Sequence, residues 1–422
     1  MTPLGDERAA LDTKTAADVH THHDTELLRR IYLPRGMDAG GAAMTTYGIP
    51  LLVLATTNSA ALTGLAFALE WIPRLAAFAV AGAMVDRYGA IRIFRLASAA
   101  RAAIVLAAAL VLTGLDSSGP GTAITIMLLA VGTGVLTEFS YIAAETTGGV
   151  ASREAGERAH RVQSVLLGID QVATLAGPAL AGLLLQWAGP TAMLLVIAVF
   201  SLLAGFLSQH AKESASASEP VFQGLRIGWS TLWSLPALVW LVTGLALSNL
   251  TSGLLQAAAP VIVVQQLGHS TADVGLIWSA AAVASLLAVA VCRRAVDRWG
   301  LWPVGALSAA IAASACLAVS FTHTYSAFLV LIALLMAGEG GMAVVLRTLR
   351  SHLIPESAFG STLGLTVLLL LVPFPVAGIL VAAVPPALLG HVITGCAVLQ
   401  ALGLGLTFTR LRTLPGLSTR PA

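Results

Sequence analysis

Charge is scarce in this sequence. Of its 422 residues only 10% are Asp, Glu, Lys or Arg, whereas 57% are hydrophobic. An ordinary soluble domain carries about 25% charged residues, so a soluble fold of this length is excluded. Cysteine is scarce as well. Cys292, Cys316 and Cys396 all fall in or at the ends of apolar runs, with no metal-ligand or redox spacing, so neither a disulfide nor a metal centre is expected. The first 30 residues are polar and acidic and lack the basic start and apolar core of a cleaved leader, so the first apolar run is expected to direct insertion itself. The "HTHH" tract at 20–23 lies in this acidic tail without a fixed scaffold and is not read as a metal site. "GEGG" at 338–341 lacks the strand-then-helix context of a phosphate loop, so no nucleotide, and no other cofactor, is expected.

What is present is a series of long apolar runs. Twelve reach the length needed to cross a hydrocarbon layer about 30 Å thick, and lipid forces such runs to be helical. They lie near 33–57, 60–83, 93–114, 122–147, 162–186, 190–210, 237–263, 272–292, 303–322, 325–347, 361–382 and 386–409. The fold expected is therefore an all-α membrane protein of twelve transmembrane helices. The connections alternate in character. "TTNSA", "LDSSGPGT", "WAGP", "LGHSTAD", "THTYS" and "VPP" hold no Lys or Arg. "DRYGAIR", "SREAGERAHR", the middle segment, "CRRAVDRWG" and "RTLRSH" hold most of them. The positive-inside rule then places both termini in the cytoplasm.

The middle segment divides the chain into two six-helix halves. The division expected is a tail at 1–30, a bundle at 31–210, a linker at 211–236, a second bundle at 237–409 and a tail at 410–422. The linker begins as a Ser/Ala/Glu-rich flexible stretch. It continues as an amphipathic helix with Phe222, Leu225 and Trp229 on one face. The charged turn "GAMVDRYGAIR" at 82–92 has an echo, "AVDRWG" at 295–300, so that Asp86 and Asp297 stand 211 residues apart, each after the second helix of its half. Matching features in two halves are the mark of a repeat-built carrier with its substrate site between them.

The first turn resembles the signature loop of the major facilitator superfamily, with Gly82, Asp86, Arg87, Gly89 and Arg92 in the matching positions; Asp297, Arg298 and Gly300 resemble its second copy, where Arg293 stands in place of Gly82. In that family the loop implies a latch between halves. Gly82 is expected to let helices approach closely, and Asp86 to accept hydrogen bonds from a neighbouring helix N-terminus. In the fifth span "AGPALAG" is similar to the family's antiporter motif through Gly177, Pro178 and Gly182, which implies export; Ser164, Ala173 and Ala181 stand where glycine is usual. The layout of the first two spans, with "LTGL" ahead of a helix containing proline, is similar to the branch that holds siderophore and macrolide exporters.

Ionisable residues inside spans cost about 2.5–3.5 kcal/mol each at a helix centre and are functional by default. The first half holds Asp38, Glu70, Arg74, Arg101, Glu138, Glu145 and Asp170, five acids against two bases; the second holds Glu339 in comparable depth, with Arg347 and Arg350 near the exit. The i, i+4 spacing of Glu70 and Arg74 predicts a direct pair, while Arg101 must find a carboxylate on another helix. The proton-coupling candidates are Glu138 first, because Glu138, Tyr141 and Glu145 share one helix face, then Asp170 and Asp38, with Glu70 and Glu339 behind them. The fourth span carries no arginine, whereas proton-driven drug exporters of the family have one there; Arg74 and Arg101 are the available substitutes.

For the substrate cavity the sequence offers Asn249, Ser252 and Gln256 as a polar stripe, Tyr141 on the cavity-lining face of the fourth span, and Tyr47, Trp71, Trp240 and Trp278 as aromatic walls. Trp187, Trp240 and Trp302 near span ends also fit interface anchors. Pro373 and Pro375 should break the eleventh span. The reading is a monomeric secondary transporter, not an enzyme, in a bacterial cytoplasmic membrane, exporting a small amphipathic molecule by proton antiport. A siderophore leads, with a drug or macrolide as an alternative cargo and uptake of a metal-siderophore complex as the alternative direction. From another class, a membrane sensor or assembly partner without transport stays open. The bilayer and a small molecule are the partners expected, and nucleic acid is not.

Overall fold

The computed structural model describes residues 27–114, 119–156, 159–208, 221–355 and 358–413. The "HTHH" tract and the Ser/Ala/Glu start of the linker lie outside them. Among the described residues all regular structure is helical, and twelve helices are long and apolar enough to cross a membrane. The first half contains α1 (Leu28–Thr57), α2 (Ala60–Tyr88), α3 (Ala90–Gly114), α4 (Pro120–Glu154), α5 (Ala159–Trp187) and α6 (Gly189–Leu207). The linker helix α7 (Val221–Ser234) follows, and then α8 (Pro236–Gln266), α9 (Thr271–Trp299), α10 (Leu301–Val319), α11 (Tyr325–Leu353), α12 (Phe359–Ala383) and α13 (Pro386–Leu411). Several helices run past the apolar spans at the end carrying the basic connections, here the basic face; the opposite end is the neutral face.

The two halves are built alike. In the first, α1 packs on α5 and α6, α2 on α4, and α3 on α4 and α6; in the second, α8 packs on α12 and α13, α9 on α11, and α10 on α11 and α13. The local signals match too. Ser59 caps α2 by accepting from the Leu62 N–H, and Ser270 caps α9 in a reciprocal box with Asp273. At the basic face the same two helices end on Gly89 and Gly300, at φ 88° and 87°, a left-handed backbone that glycine adopts without strain. Ser59 and Ser270, like Gly89 and Gly300, are offset by the 211 residues that separate Asp86 from Asp297.

The halves meet across two helix pairs, α2 with α12 and α5 with α9. Both pairings depend on missing side chains. A Cβ at Gly64 would lie 2.5 Å from Ala382 N, and one at Gly378 would lie 2.6 Å from Ala68 N. In the other pair, a Cβ at Gly275 would lie 2.3 Å from Pro178 O, and one at Gly182 would lie 2.5 Å from Thr271 O. Glycine lets the backbones touch, and dispersion and hydrogen bonds then hold them where no hydrophobic effect operates between helices in lipid. Hydrogen bonds between the halves gather on the same side. Thr271 Oγ1 donates to Gly182 O at 3.2 Å, Gln186 Oε1 accepts from Ala272 N at 3.1 Å, Ser279 Oγ donates to Leu175 O at 2.5 Å, and Gln265 Nε2 donates to Asn58 Oδ1 at 2.9 Å. The structure is thus pinned at its neutral face.

This explains a departure from expectation at Gly82. Nothing lies within 4 Å of where a Cβ there would stand. The close approach of α2 to α12 occurs at Gly64, on the neutral side, while the basic-side segment Phe359–Leu371 barely touches α2. Asp86 and Arg87 are exposed, as are Asp297 and Arg298.

As Pro373 and Pro375 foretell, α12 breaks, at Val372, into Phe359–Leu371 and Pro373–Ala383. Proline removes N–H donors and frees carbonyls. Beside the break, Asn249 of α8 donates from Nδ2 to Leu370 O at 2.7 Å. The linker helix α7 packs on the first part of α12, with a Cβ at Gly228 falling 2.5 Å from Ser361 O, and leaves Trp229 and Trp233 exposed edge to face at 5.9 Å.

Overpacking a tight contact costs about 1–3 kcal/mol, so Gly64→Leu or Gly275→Leu should disfavour the neutral-face closure by about 5- to 150-fold in population. Cysteine labelling at Asn58 or Gln265 measures it: the leucine variants should label faster than the parent.

Candidate functional site

The interior of the first half is an ion-paired network. Arg101 is fully buried, with 0% of its surface exposed. Its Nη2 donates to Asp38 Oδ1 at 2.5 Å and its Nε to Ser201 Oγ at 2.9 Å, while Nη1 approaches Ser140 Oγ at 3.3 Å and Thr137 Oγ1 at 3.4 Å. Arg101 therefore finds its carboxylate on another helix, and Asp38 is buried against it. Five donors in a planar fork suit arginine to tying four helices together in this way.

Arg35 is the residue that sequence reasoning missed. Its position near the start of α1 reads as one more basic residue at a membrane border, yet the structure buries it. Its Nε and Nη2 grip Asp170 of α5 at 2.8 and 2.6 Å, Nη2 also reaches Glu145 of α4 at 2.5 Å, and the guanidinium lies 5.3 Å from the centre of the Tyr141 ring. The count of five acids against two bases is corrected to five against three, since Arg35 answers two carboxylates at once.

The expected pair of Glu70 with Arg74 is also corrected. Arg74 turns its Nε to Glu138 Oε2 on α4 at 2.8 Å, with its guanidinium 4.6 Å from the centre of the Trp71 ring. The reason is packing. A Cβ at Gly134 would fall 2.2 Å from Glu70 O, so α2 and α4 nearly touch, and the inter-helix carboxylate competes with the one on Arg74's own helix. Glu70, 1% exposed, is left with one donor, Thr46 Oγ1 at 3.0 Å to its Oε1, and its Oε2 has no hydrogen-bond partner.

In the second half Glu339 of α11 takes hydroxyl donors from Ser248, at 2.9 Å, and from Ser252, both on α8, into its Oε1. Ser248 accepts from Gln400 Nε2 of α13 at 2.8 Å. Of the expected polar stripe, Asn249 serves the broken helix, Ser252 serves Glu339, and Gln256 is half-buried. The signal for Ser248 was its i, i+4 spacing from Ser252; Gln400 gave none.

Aromatic rings bridge the halves between these groups. Trp71 stacks on Phe374 with centroids 4.4 Å apart, and Tyr47 meets Trp278 at 5.5 Å. Tyr47 lies within electrostatic reach of both Glu70 and Glu339. Among the described residues neither Glu70 nor Glu339 forms an ion pair, although Arg74 stays within electrostatic reach of Glu70, and the Trp71–Phe374 and Tyr47–Trp278 contacts form an aromatic divide between the halves. Trp187 is 78% exposed, and Trp302 donates from Nε1 to Phe408 O at 2.8 Å at the basic face, beside Arg412. Among the described residues no cluster of metal-ligating side chains occurs.

A twelve-helix bundle of two like halves, with charge buried in their interiors, is a multi-pass membrane transporter rather than an enzyme. The chain belongs to the Major Facilitator Superfamily, whose pattern it matches over residues 35–378. Over 208 residues it is 27% identical to the multidrug efflux pump Tap of Mycobacterium tuberculosis (strain ATCC 25618 / H37Rv), covering 46% of this chain and 49% of that protein, and equally to Tap of Mycobacterium bovis (strain ATCC BAA-935 / AF2122/97). The chain spans about half the length of the curated relatives it matches. In fold it is similar to a bacterial homologue of the iron transporter ferroportin in an inward-facing state, at TM-score 0.70 and 19% identity, covering 91% of this chain and 98% of that one. It is likewise similar to a bacterial homolog of the human lysosomal transporter Spinster, at TM-score 0.67 and 11% identity, covering 91% and 96%.

Breaking a buried pair by removing one partner costs about 3–5 kcal/mol, because the other charge is left bare. Arg101→Ala should lower stability by about that much in a detergent melting assay, and Asp38→Asn should recover much of the loss when combined with it.

Proposed function

We propose that the chain is a proton-coupled exporter of small amphipathic compounds, with both termini cytoplasmic and the basic face inward. The observation that carries this is Arg74, which stands one helical turn from Glu70 and pairs with Glu138 while Glu70 keeps an unpartnered oxygen. One guanidinium serves two carboxylates, so a proton on Glu138 releases Arg74 to Glu70, and a proton on Glu70 leaves it with Glu138. The carboxylate that Arg74 leaves takes up the proton, and alternation of access carries that proton across. Arg74 supplies the cation that the fourth span lacks. Asp38 and Asp170, already held by Arg101 and Arg35, serve as fixed struts in this scheme.

Direction rests on Gly177, Pro178 and Gly182, which bring α5 against α1 and α9 so closely that the neutral-face pathway is sealed; a Cβ at Gly177 would lie 2.5 Å from the Ala43 Cβ. Similarity to a named efflux pump supports the same direction. The aromatic divide of Tyr47, Trp71, Trp278 and Phe374 suits a bulky apolar body, and the central carboxylates suit hydrogen-bond donors or positive charge on it. A drug-like amphiphile fits these features directly. A siderophore is the cargo implied by the resemblance to the siderophore and macrolide branch, and it fits where its donors outnumber its negative charges.

Inside-out vesicles energised to an acid interior and loaded with a pH-quenched dye test this reading. Adding a transported compound from a panel of siderophores, macrolides and organic cations should alkalinise the lumen. Glu70→Gln and Glu138→Gln should each abolish that response while the protein still inserts; unchanged proton-driven transport in both variants overturns the assignment.

A further inference from the structure

Proton exchange at Arg74 leaves the polar cluster of the second half unused. Glu339, Ser248, Ser252 and Gln400 come from three helices, α11, α8 and α13, and meet in an otherwise apolar bundle. Two features of the cluster are unresolved by its own hydrogen bonds. Glu339 is a buried carboxyl group that, among the described residues, no Arg or His answers with an ion pair. Gln400 is fully buried, and its Oε1 has no hydrogen-bond partner although its Nε2 is directed at Ser248. Exchanging the amide's oxygen and nitrogen moves the orphan to the nitrogen without removing it.

An occupant of the cluster therefore has to satisfy a carboxylate and an amide oxygen at once. A proton on Glu339 cancels the charge but gives Gln400 nothing. Water gives Gln400 a donor but leaves the charge. A proton and a water together would do both with two occupants; a hard cation does both with one, because carboxylate, amide carbonyl and hydroxyl oxygens are its preferred ligands. The charge fixes its valence: one carboxylate balances a single positive charge, whereas a divalent ion would leave a net charge in a low-dielectric bundle. The two hydroxyls need only rotate, since the serine protons that now point at Glu339 Oε1 can turn away and present lone pairs. The small, compact ligand set favours a small ion over a bulky organic ammonium.

We propose that Glu339, Ser248, Ser252 and Gln400 form a binding site for a monovalent metal cation of sodium size, separate from the proton-exchanging residues of the first half. Because Ser248 and Ser252 sit on α8 one turn and less from Asn249, which tethers the break in α12, occupancy of the site bears on the helix that meets α2 at the half-to-half contact. The cation thereby favours one arrangement of the second half.

The test is direct binding of radiolabelled sodium to the full chain in lipid nanodiscs at alkaline pH, with potassium and choline as competitors. Saturable binding that unlabelled sodium displaces and choline does not is the expected result. Glu339→Gln should abolish it, and Ser252→Ala or Gln400→Leu should weaken it about ten-fold or more, as loss of a ligand or of its support does at metal sites. Glu70→Gln should bind sodium like the parent. A melting assay confirms that each variant is folded, and the two milder substitutions keep the test open if Glu339→Gln is not. Absence of saturable binding in the folded parent, parent-like binding by Glu339→Gln, or displacement by choline overturns the proposal. Loss of proton-driven flux with sodium binding intact would instead count against the exporter reading alone.

Discussion

Arg101 and Asp38, buried together at 2.5 Å, express the constraint on which the rest of this structure depends: in an apolar bundle a charge persists only where another element supplies its counterion. The consequence runs through every helix of the first half. Asp38 on α1, Ser201 on α6, and Thr137 and Ser140 on α4 all converge on one guanidinium from α3. Arg35 repeats the device with Asp170 and Glu145, and Arg74 with Glu138. Three arginines thus fix the mutual positions of helices that lipid alone would not hold in register.

Between the halves the solution is different, because a carrier has to part them. There the contacts are backbone against backbone, at Gly64, Gly378, Gly275 and Gly182, with a few part-buried hydrogen bonds. Such contacts are close but, among the described residues, carry no ion pair to break. Rigid halves and a separable seam are what alternating access needs, and the distribution of charge and glycine provides both. Glu70 and Glu339, neither in an ion pair among the described residues, both lie within electrostatic reach of Tyr47, whose ring meets that of Trp278 across the seam.

Much of this was legible in the residues. The length of the apolar runs gave twelve spans, because hydrocarbon thickness sets helix length. The offset of 211 residues gave the two halves, and it recurs at Ser59 and Ser270 and at Gly89 and Gly300, where a cap and a left-handed turn are local matters. The break at Pro373 was equally local. Partners were less legible. Glu70 and Arg74 are neighbours on one helix, yet Glu138 takes the guanidinium because Gly134 brings α4 against α2. Gly82 was read as a packing glycine from its place in the loop, but its surroundings depend on how far α12 diverges from α2.

The sequence by itself determined the class of molecule, its helices, its internal repeat and the inventory of charges that must be buried, since these follow from hydropathy, chain length and local backbone preference. Only the tertiary structure decided which acid holds which base, that Arg35 belongs to the interior, and that Ser248 and Gln400 join Glu339. Those choices turn on distances of a few ångströms between helices far apart in the chain, and the rotation of each helix about its axis, which sets those distances, is fixed by packing rather than by any local pattern.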